Sequence, residues 1–382
     1  MRFLLAEKRI LQTNTYLCTY SAIPIIKYLQ MAIFSISNVA FRGVSACVPA
    51  NEVSNSDYEL ITEKERESLA KNIGVNKRRV RATEATTTSD LCFEAAEKLI
   101  AELQWDKKEI SLLIFVSQSR DYIIPSTSGI LQDRLGLPKT CMALDINLGC
   151  SGYVYGLANA GALISAGMIS KALLLVGDVS TSNTSYYDKS TYPLFGDAGT
   201  ATALEYNESA TPIDFNLQSD GGGYDAIIIP DGGMRSPIKK ESFDLVKYGE
   251  GIERTGIDVA LNGIEVFNFS LREVAPNIKK LSKHYDKPIS DFDYVIFHQA
   301  NKLINNTIRK MIKVEPEKVP VSLDKFGNTS CASIPLTMVS EIRESLRTEH
   351  KKLILSAFGI GLSWGTVFLE TENIVVPELI EI

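Results

Sequence analysis

The 382-residue sequence predicts an α/β fold made of two related halves. Continuous apolar runs alternate with helical patterns, which favours sheets covered by helices on both faces. The length exceeds one average domain and accommodates two similar halves. One pattern also occurs twice. The first copy reads SLLIFVSQS, MALDINLGCSG and KALLLVGD, and the second reads DYVIFHQAN, PVSLDKFGNTS and KKLILSAFGIG.

The elements of the first half follow in order. Residues 57–72 are charged and helix-prone, and the amphipathic segment TTTSDLCFEAAEKLIAELQW begins with capping residues, as a helix does. The runs SLLIFVSQ, CMALDIN and KALLLVGDVS are interpreted as buried strands. Between the last two lies YVYGLANAGALISAGM, which is small and apolar on every side. Such a helix belongs in the centre of a protein.

These elements divide the chain into four segments. Residues 31–210 form the N-terminal half, 211–265 a connecting region of loops rich in glycine, and 266–382 the C-terminal half. Residues 1–30 do not match the repeat and are interpreted as an N-terminal extension. Charges interrupt its apolar start too early for a signal peptide, and its second apolar run is too short to span a bilayer. Met31 opens the run AIFSISNVAFRGVSACVP, which resembles the first strand and turn of a domain, so we hypothesise that translation starts at Met31.

Charge and cysteine content exclude some functions. A net charge of −6 argues against nucleic acid as the main partner. Six cysteines and three histidines show no spacing typical of a metal site, so we expect no bound metal. Scattered free thiols indicate a reducing, cytoplasmic environment, and we expect no membrane association.

The repeat aligns residue types that can perform nucleophilic chemistry. When the Leu-Asp pairs at 144–145 and 323–324 are superimposed, Cys150 falls opposite Asn328 after a one-residue gap. His298 ends the apolar run of the second copy, at the edge where α/β proteins hold ligands. A duplicated fold that brings a Cys, a His and an Asn together predicts a nucleophilic site.

Each residue alone also has an ordinary interpretation. Cys150 lies at a strand–helix junction, where the helix N-terminus favours thiolate and its N–H groups can hold an oxyanion, but such a Cys is more often simply packed. His298 is equally typical of a hydrogen-bonded core residue, and Asn328 of a turn. His284 and His350 have charged neighbours and are predicted at the surface.

Six segments resemble the β-ketoacyl-acyl-carrier-protein synthase III family of the thiolase superfamily. They are DINLGCSGYVYGL, LFGDAGTATAL, NGIEVFNF, FHQAN, FGNTSCASIP and AFGIGLSWGT. The resemblance implies a thiolase-like, five-layered α/β/α/β/α fold of two duplicated halves and a homodimer. It also implies a decarboxylating Claisen condensation with acyl carrier protein as partner.

The resemblance assigns a role to each matching residue. Cys150 would take the acyl group, and the backbone N–H groups of Cys150 and of Ile360 or Gly361 would form an oxyanion hole. His298 and Asn328 would hydrogen-bond the malonyl thioester carbonyl and stabilise the enolate formed as carbon dioxide leaves. The substrates would be acyl-CoA or acyl-carrier protein and malonyl-carrier protein, with no cofactor.

The sequence departs from the family pattern around the expected donor site. Ile360 replaces the middle glycine of a glycine-rich loop, which predicts a narrower pocket. Ser68 and Leu303 stand where well-known members have a tryptophan and a basic residue. Lys189 and Lys302 are the candidates to contact the phosphopantetheine or its carrier. Delivery of the primer by coenzyme A or by a carrier protein stays open.

Three other functions fit parts of the pattern. An acyltransferase on the same fold would pass the acyl group to an alcohol or amine, but would not need an enolate-stabilising pair. A papain-type hydrolase uses the same residue order, but its signature around the Cys is absent and it has no duplication. A non-catalytic partner subunit is disfavoured by the presence of Cys150.

Overall fold

A computed structural model describes residues 32–83 and 85–382, and the predicted extension, residues 1–30, lies outside this part. Its strands are β1 Ala32–Ile36, β2 Val39–Val48, β3 Glu52–Ser54, β4 Lys77–Arg79, β5 Ile110–Val116, β6 Met142–Ile146, β7 Lys171–Val179, β8 Asp197–Tyr206, β9 Ile213–Ser219, β10 Ile227–Ile228, β11 Val246–Gly249, β12 Ile252–Arg254, β13 Ala260–Leu261, β14 Tyr294–Phe297, β15 His350–Gly359, β16 Ser363–Glu372 and β17 Ile380–Glu381. Its α-helices are α1 Glu63–Ser68, α2 Thr88–Leu103, α3 Thr127–Arg134, α4 Gly152–Ser165, α5 Gly263–Tyr285, α6 Lys302–Met311, α7 Leu323–Phe326, α8 Ser333–Glu341 and α9 Arg343–Thr348. Short 3-10 turns cover Asn55–Asp57, Lys107–Glu109, Ser180–Asn183, Gly221–Gly223, Lys240–Phe243, Ile289–Asp291, Pro316–Lys318 and Ser330–Ala332, and one π turn covers Leu69–Ile73.

Two large sheets repeat the same strand pattern. The first has the order β17-β2-β8-β7-β5-β6 and the second the order β1-β9-β16-β15-β14. In the first, β7 pairs parallel with β5 and antiparallel with β8, which pairs antiparallel with β2. In the second, β15 pairs parallel with β14 and antiparallel with β16, which pairs antiparallel with β9. The predicted duplication is therefore confirmed in the pairing of the strands.

The layers follow from which helices contact each sheet. Helix α4 contacts strands of both sheets, and one apolar core joins α4, α8 and the facing sides of the two sheets. Helices α2 and α3 cover the outer face of the six-stranded sheet, and α5 covers the outer face of the five-stranded sheet, with α6 packed beside it. This is the predicted α/β/α/β/α order, with the apolar helix YVYGLANAGALISAGM in its centre.

Sheet membership differs from the predicted segments in two places. Strand β1 opens the predicted N-terminal half but pairs with β9 in the five-stranded sheet. Strand β9 itself lies inside the region predicted as connecting loops, 211–265. Both strands join the five-stranded sheet by antiparallel pairing: β9 pairs with β16, and β1 pairs with β9. The boundaries read from the repeat therefore do not separate the two sheets.

The second copy also lacks one strand of the first. The segment VSLDKF, which aligns with MALDI of β6, contains the short helix α7 instead. The last strand on this side is β6 in the six-stranded sheet and β14 in the five-stranded sheet.

Across residues 32–83 and 85–382, none of the helices combines the length and the apolar character required to cross a membrane.

Candidate active site

Cys150 lies in the turn between β6 and α4, at the seam of the two halves. The hydroxyl of the next residue, Ser151, is 2.6 Å from that of Ser363 at the start of β16, which ties this turn to the other half. The Cys150 side chain is buried, with 9% of its surface exposed.

His298 follows β14 directly, as the apolar run ends. Its backbone N–H donates to the Ser356 carbonyl of β15 at 2.9 Å, which continues the parallel pairing by one residue. The ring is buried, and its Nδ1 lies 2.8 Å from the hydroxyl of Ser333 at the start of α8.

Asn328 follows α7 and is fixed by hydrogen bonds to the other half. Its backbone N–H donates to the Leu194 carbonyl at 2.9 Å, and its carbonyl accepts from the Gly196 N–H at 3.1 Å. The side-chain Oδ1 accepts the Ser330 N–H at 2.9 Å. Because the oxygen is occupied, the amide N–H groups are the donors that Asn328 offers to a ligand.

The three predicted residues line one cavity of about 150 Å³. Part of the cavity wall is formed by β10, β13, the residues beside them and the first turn of α5. That wall is apolar: Ile227, Ile228, Ile229, Val259, Leu261 and Val266. An apolar cavity that ends at a few polar groups suits a ligand with a hydrocarbon part and one reactive polar group.

The loop after β15 brings its backbone against the thiol. Gly359 has φ +153°, and a Cβ built there would lie 2.6 Å from the Cys150 Cβ and 2.8 Å from its Sγ. The backbone N–H of Ile360 hydrogen-bonds the thiol. Of the two predicted oxyanion donors in this loop, Ile360 is therefore the one placed at Cys150, while the space beside Gly361 is filled by Ser363.

The ionisation of Cys150 differs from the sequence-based expectation of a thiolate. Burial, with the nearby Asp178 carboxylate, raises the pKa of the Cys150 thiol to about 11. The N–H groups of Ile360 and Cys150 and the Ser330 hydroxyl lower this pKa, but less than burial raises it. The group is therefore a thiol at neutral pH, and these donors are ready to stabilise negative charge once a substrate brings it.

The raised pKa predicts the pH dependence of alkylation. Because only thiolate reacts, labelling of Cys150 by iodoacetamide should accelerate by about tenfold per pH unit between about pH 7 and 9, without a plateau. Peptide mass spectrometry of timed samples would measure the rate, and Cys150→Ala would identify the background from other thiols. A rate that levels off below about pH 8 would show a thiolate already formed.

The contact at Gly359 predicts that even a methyl group disrupts the site. In Gly359→Ala the new Cβ would overlap Cys150, so we expect the acyl loading that the resemblance implies to fall by about a hundredfold, as small misplacements of reacting groups do. Gly136→Ala is the matched control, since Gly136 has φ +64° but nothing within 4 Å of its Cβ position. Equal loading rates in the two variants, measured by intact mass, would contradict this explanation.

His298 is neutral in this site. Burial lowers the pKa of His298 to about 4, although a backbone hydrogen bond with Ser330 acts in the opposite direction. At neutral pH the imidazole therefore carries one proton, and it offers a neutral hydrogen-bond donor instead of a positive charge.

The two lysines predicted to contact a carrier group lie outside this cavity. Lys189 Nζ forms an ion pair with Glu65 Oε1 at 2.7 Å. Lys302 begins α6 and packs over Gly74, where an added Cβ would meet its side chain at 2.7 Å. Neither is among the residues of the described chain that line the cavity at Cys150.

Sequence reasoning missed the polar support behind Cys150. The Asp178 carboxylate, 3% exposed, accepts hydrogen bonds from the Ser117 and Ser119 hydroxyls and from the Gln118 and Ser119 N–H groups. It holds the loop after β5 in the cavity wall. The polar ends of the runs SLLIFVSQS and KALLLVGD are the signal that could have indicated it. Sequence reasoning also missed the apolar wall at Ile227–Ile229, which three consecutive isoleucines could have indicated within the region interpreted as loops.

Comparisons with known proteins give a family for this arrangement. Two family models match the chain: "3-Oxoacyl-[acyl-carrier-protein (ACP)] synthase III" over residues 144–221, and the corresponding C-terminal model over residues 284–371. The first range contains Cys150, and the second contains His298 and Asn328.

Complete relatives match over most of their length. The β-ketoacyl-[acyl-carrier-protein] synthase III of Aliarcobacter butzleri is 32% identical over 334 residues, which cover 87% of this chain and 97% of the relative. This chain belongs to the β-ketoacyl-acyl-carrier-protein synthase III family. A member from Streptococcus pneumoniae is 31% identical over 341 residues, 89% of this chain and 99% of that protein.

Two solved structures of similar proteins share the fold of this chain. The crystal structure of a 3-oxoacyl-(acyl-carrier protein) synthase from Burkholderia xenovorans has a TM-score of 0.86 and 36% identity, and covers 92% of this chain and 99% of its own. A second 3-oxoacyl-(acyl-carrier-protein) synthase III structure has a TM-score of 0.83 and 32% identity, with 87% and 99% covered. The chain therefore has the thiolase-like fold of the synthase III family.

Proposed function

We propose that this chain is a β-ketoacyl-acyl-carrier-protein synthase III, an acyl-transferring enzyme that condenses an acyl primer with malonyl-acyl carrier protein. The observation that carries the proposal is the single cavity in which Cys150, two oriented neutral donors and an apolar wall meet. Membership of the synthase III family supports the same reaction.

In the loading step, the Cys150 sulfur attacks the carbonyl carbon of the primer thioester. The N–H groups of Ile360 and Cys150, which already hydrogen-bond the thiol, hold the developing oxyanion. The carrier thiolate leaves and takes the proton that Cys150 releases, so that acyl-Cys150 and a free carrier thiol result.

In the condensation step, the malonyl thioester loses carbon dioxide and the remaining electron pair forms an enolate. The amide N–H of Asn328 and the neutral ring of His298 donate to its oxygen, which stabilises the negative charge without a strong base. The enolate carbon then attacks the carbonyl carbon of acyl-Cys150. Cys150 leaves, takes up a proton, and the β-ketoacyl group remains on the carrier protein.

The experiment that tests the proposal follows both steps. The purified protein is incubated with a panel of acyl-CoA and acyl-carrier-protein donors, and intact mass shows whether Cys150 is acylated and with which group. Malonyl-carrier protein is then added, and carbon dioxide and the β-ketoacyl product are measured. Free acid as the sole product, without carbon dioxide from the malonyl group, would reject the condensation.

Acyl carrier protein and an acyl-CoA or acyl-carrier donor are the proposed partners. The apolar wall fits a hydrocarbon primer, and the donor panel decides between the two carriers. Since Lys189 is engaged by Glu65, a variant such as Glu65→Ala would release it for a phosphate group.

Neither step uses a metal or a redox group, so we propose that no cofactor is required. The free cysteines of the described residues support a cytoplasmic location.

We propose that the enzyme is a homodimer. Strand β6 forms an edge of the six-stranded sheet, and an unpaired edge of this kind is suited to pairing with a second copy. In the segment that leads into α3, which packs against β6, Ile123 and Ile124 are 79% and 84% exposed. Light scattering during size-exclusion chromatography would show twice the mass of one chain, and a monomer at all concentrations would reject the dimer.

A further inference from the structure

Ser333 supports the His298 ring from the side away from the reacting groups. It is the first residue of α8 and is 1% exposed. Its hydroxyl oxygen lies 2.8 Å from His298 Nδ1 and also accepts the backbone N–H of Gln299 at 3.3 Å. Within residues 32–83 and 85–382, these are the two hydrogen-bond partners of that hydroxyl group.

The direction of these hydrogen bonds follows from the number of hydrogens. The Gln299 N–H can only donate, so the Ser333 oxygen accepts from it. If Ser333 also accepted a hydrogen from Nδ1, its own hydroxyl hydrogen would have no acceptor among the described residues, whereas donation to Nδ1 of His298 satisfies both groups. A neutral ring that accepts at Nδ1 carries its proton on Nε2.

We propose that Ser333 is a positioning residue that donates to Nδ1 of His298 and thereby fixes the Nε2–H tautomer that the condensation step needs. This inference rests on the proposed function, because it explains how His298 becomes a donor to the malonyl carbonyl. The other tautomer would present an unprotonated nitrogen to the substrate oxygen, and two acceptors repel each other. Ser330 and Ser333 thus act in parallel: the first occupies the oxygen of Asn328, and the second occupies Nδ1 of His298.

The tautomer can be observed without any substrate. The sequence contains three histidines, so the protein labelled with ¹⁵N-histidine gives few ring signals, and His298→Gln identifies those of His298. Long-range ¹⁵N–¹H correlation spectra at neutral pH should show an unprotonated, hydrogen-bonded Nδ1 and a protonated Nε2. A protonated Nδ1 in the wild-type protein would overturn the proposal, whatever the activity of the enzyme.

Kinetics test whether this hydrogen bond matters for the reaction. In Ser333→Ala, the shift of His298 Nδ1 should change, and malonyl decarboxylation should fall by about tenfold in kcat, as expected for one lost hydrogen bond. The KM for malonyl-carrier protein and the acyl loading of Cys150 should stay close to wild type. Ser333→Thr keeps the hydroxyl and should restore both the spectrum and the rate.

A matched control separates this role from a general loss of buried hydroxyl groups. Ser322→Ala removes another buried hydroxyl, which pairs with Thr337 instead of His298, and should leave the His298 spectrum and kcat unchanged. Unchanged spectra and rates in Ser333→Ala, or equal losses in Ser322→Ala, would overturn the proposal. If the wild-type protein shows Nε2–H but releases no carbon dioxide from malonyl groups, the proposed function fails while the tautomer assignment stands.

Discussion

Replacing Cys150 with alanine is expected to abolish acyl loading. The sulfur is the proposed nucleophile in the cavity, and the N–H groups of Ile360 and Cys150 cannot form a covalent bond in its place. Intact mass after incubation with the acyl donor accepted by the wild-type protein should show no added acyl group. Malonyl decarboxylation should remain measurable, because His298 and Asn328 are unchanged.

The control for Cys150→Ala is the same substitution at a cysteine outside the cavity. Cys141 is buried, and it is not among the cavity-lining residues of the described chain. Cys141→Ala should load at the wild-type rate. Acylation of the Cys150→Ala protein at any specific residue would refute the assigned nucleophile.

Removing either enolate donor is expected to separate the two half-reactions. In His298→Ala or Asn328→Ala, loading of Cys150 should be largely preserved. Decarboxylation of malonyl-carrier protein should fall by about 10²–10³-fold, the usual cost of losing one donor to a developing oxyanion. Released carbon dioxide and acyl-enzyme mass, measured on the same sample, report the two steps separately.

Asn328→Asp gives a sharper version of this test. The carboxylate has nearly the shape of the amide and can still accept the Ser330 N–H, so the turn should keep its structure. It cannot donate, and its charge opposes an enolate, so decarboxylation should fall at least as far as in Asn328→Ala. Full decarboxylation in either Asn328 variant would overturn the role given to this residue.

Much of the fold was predictable because its causes are local. The alternation of apolar runs and helical patterns predicted sheets covered by helices, and the repeat predicted two related halves, which the matching strand pairing of the two sheets confirms. The positions of β1 and β9 in the five-stranded sheet were not predictable, since the sequence pattern of a single strand does not show which sheet the strand joins. The replacement of a strand by α7 was also not predictable, because a four-residue helix is too short to show helical periodicity in its apolar residues.

The candidate site was predicted in its residue types and not in its electrostatics. Repeat alignment selected Cys150, His298 and Asn328, and all three line the same cavity. The expected thiolate was wrong for the resting protein, because the sequence shows the helix start but not the depth of burial that raises the pKa of Cys150. The roles of the three residues stay predictions until the half-reactions are measured.

By itself, the sequence determined which chemistry-bearing residues end which strands, because strand patterns and their repetition are properties of neighbouring residues. Only the tertiary structure decided the protonation and hydrogen bonding of those residues in the folded protein: a protonated thiol, a neutral imidazole and an amide whose oxygen is already occupied. Ionisation and hydrogen-bond direction depend on groups far apart in the chain, such as Asp178 near Cys150 and Ser333 beside His298. Folding alone brings these groups close enough to interact.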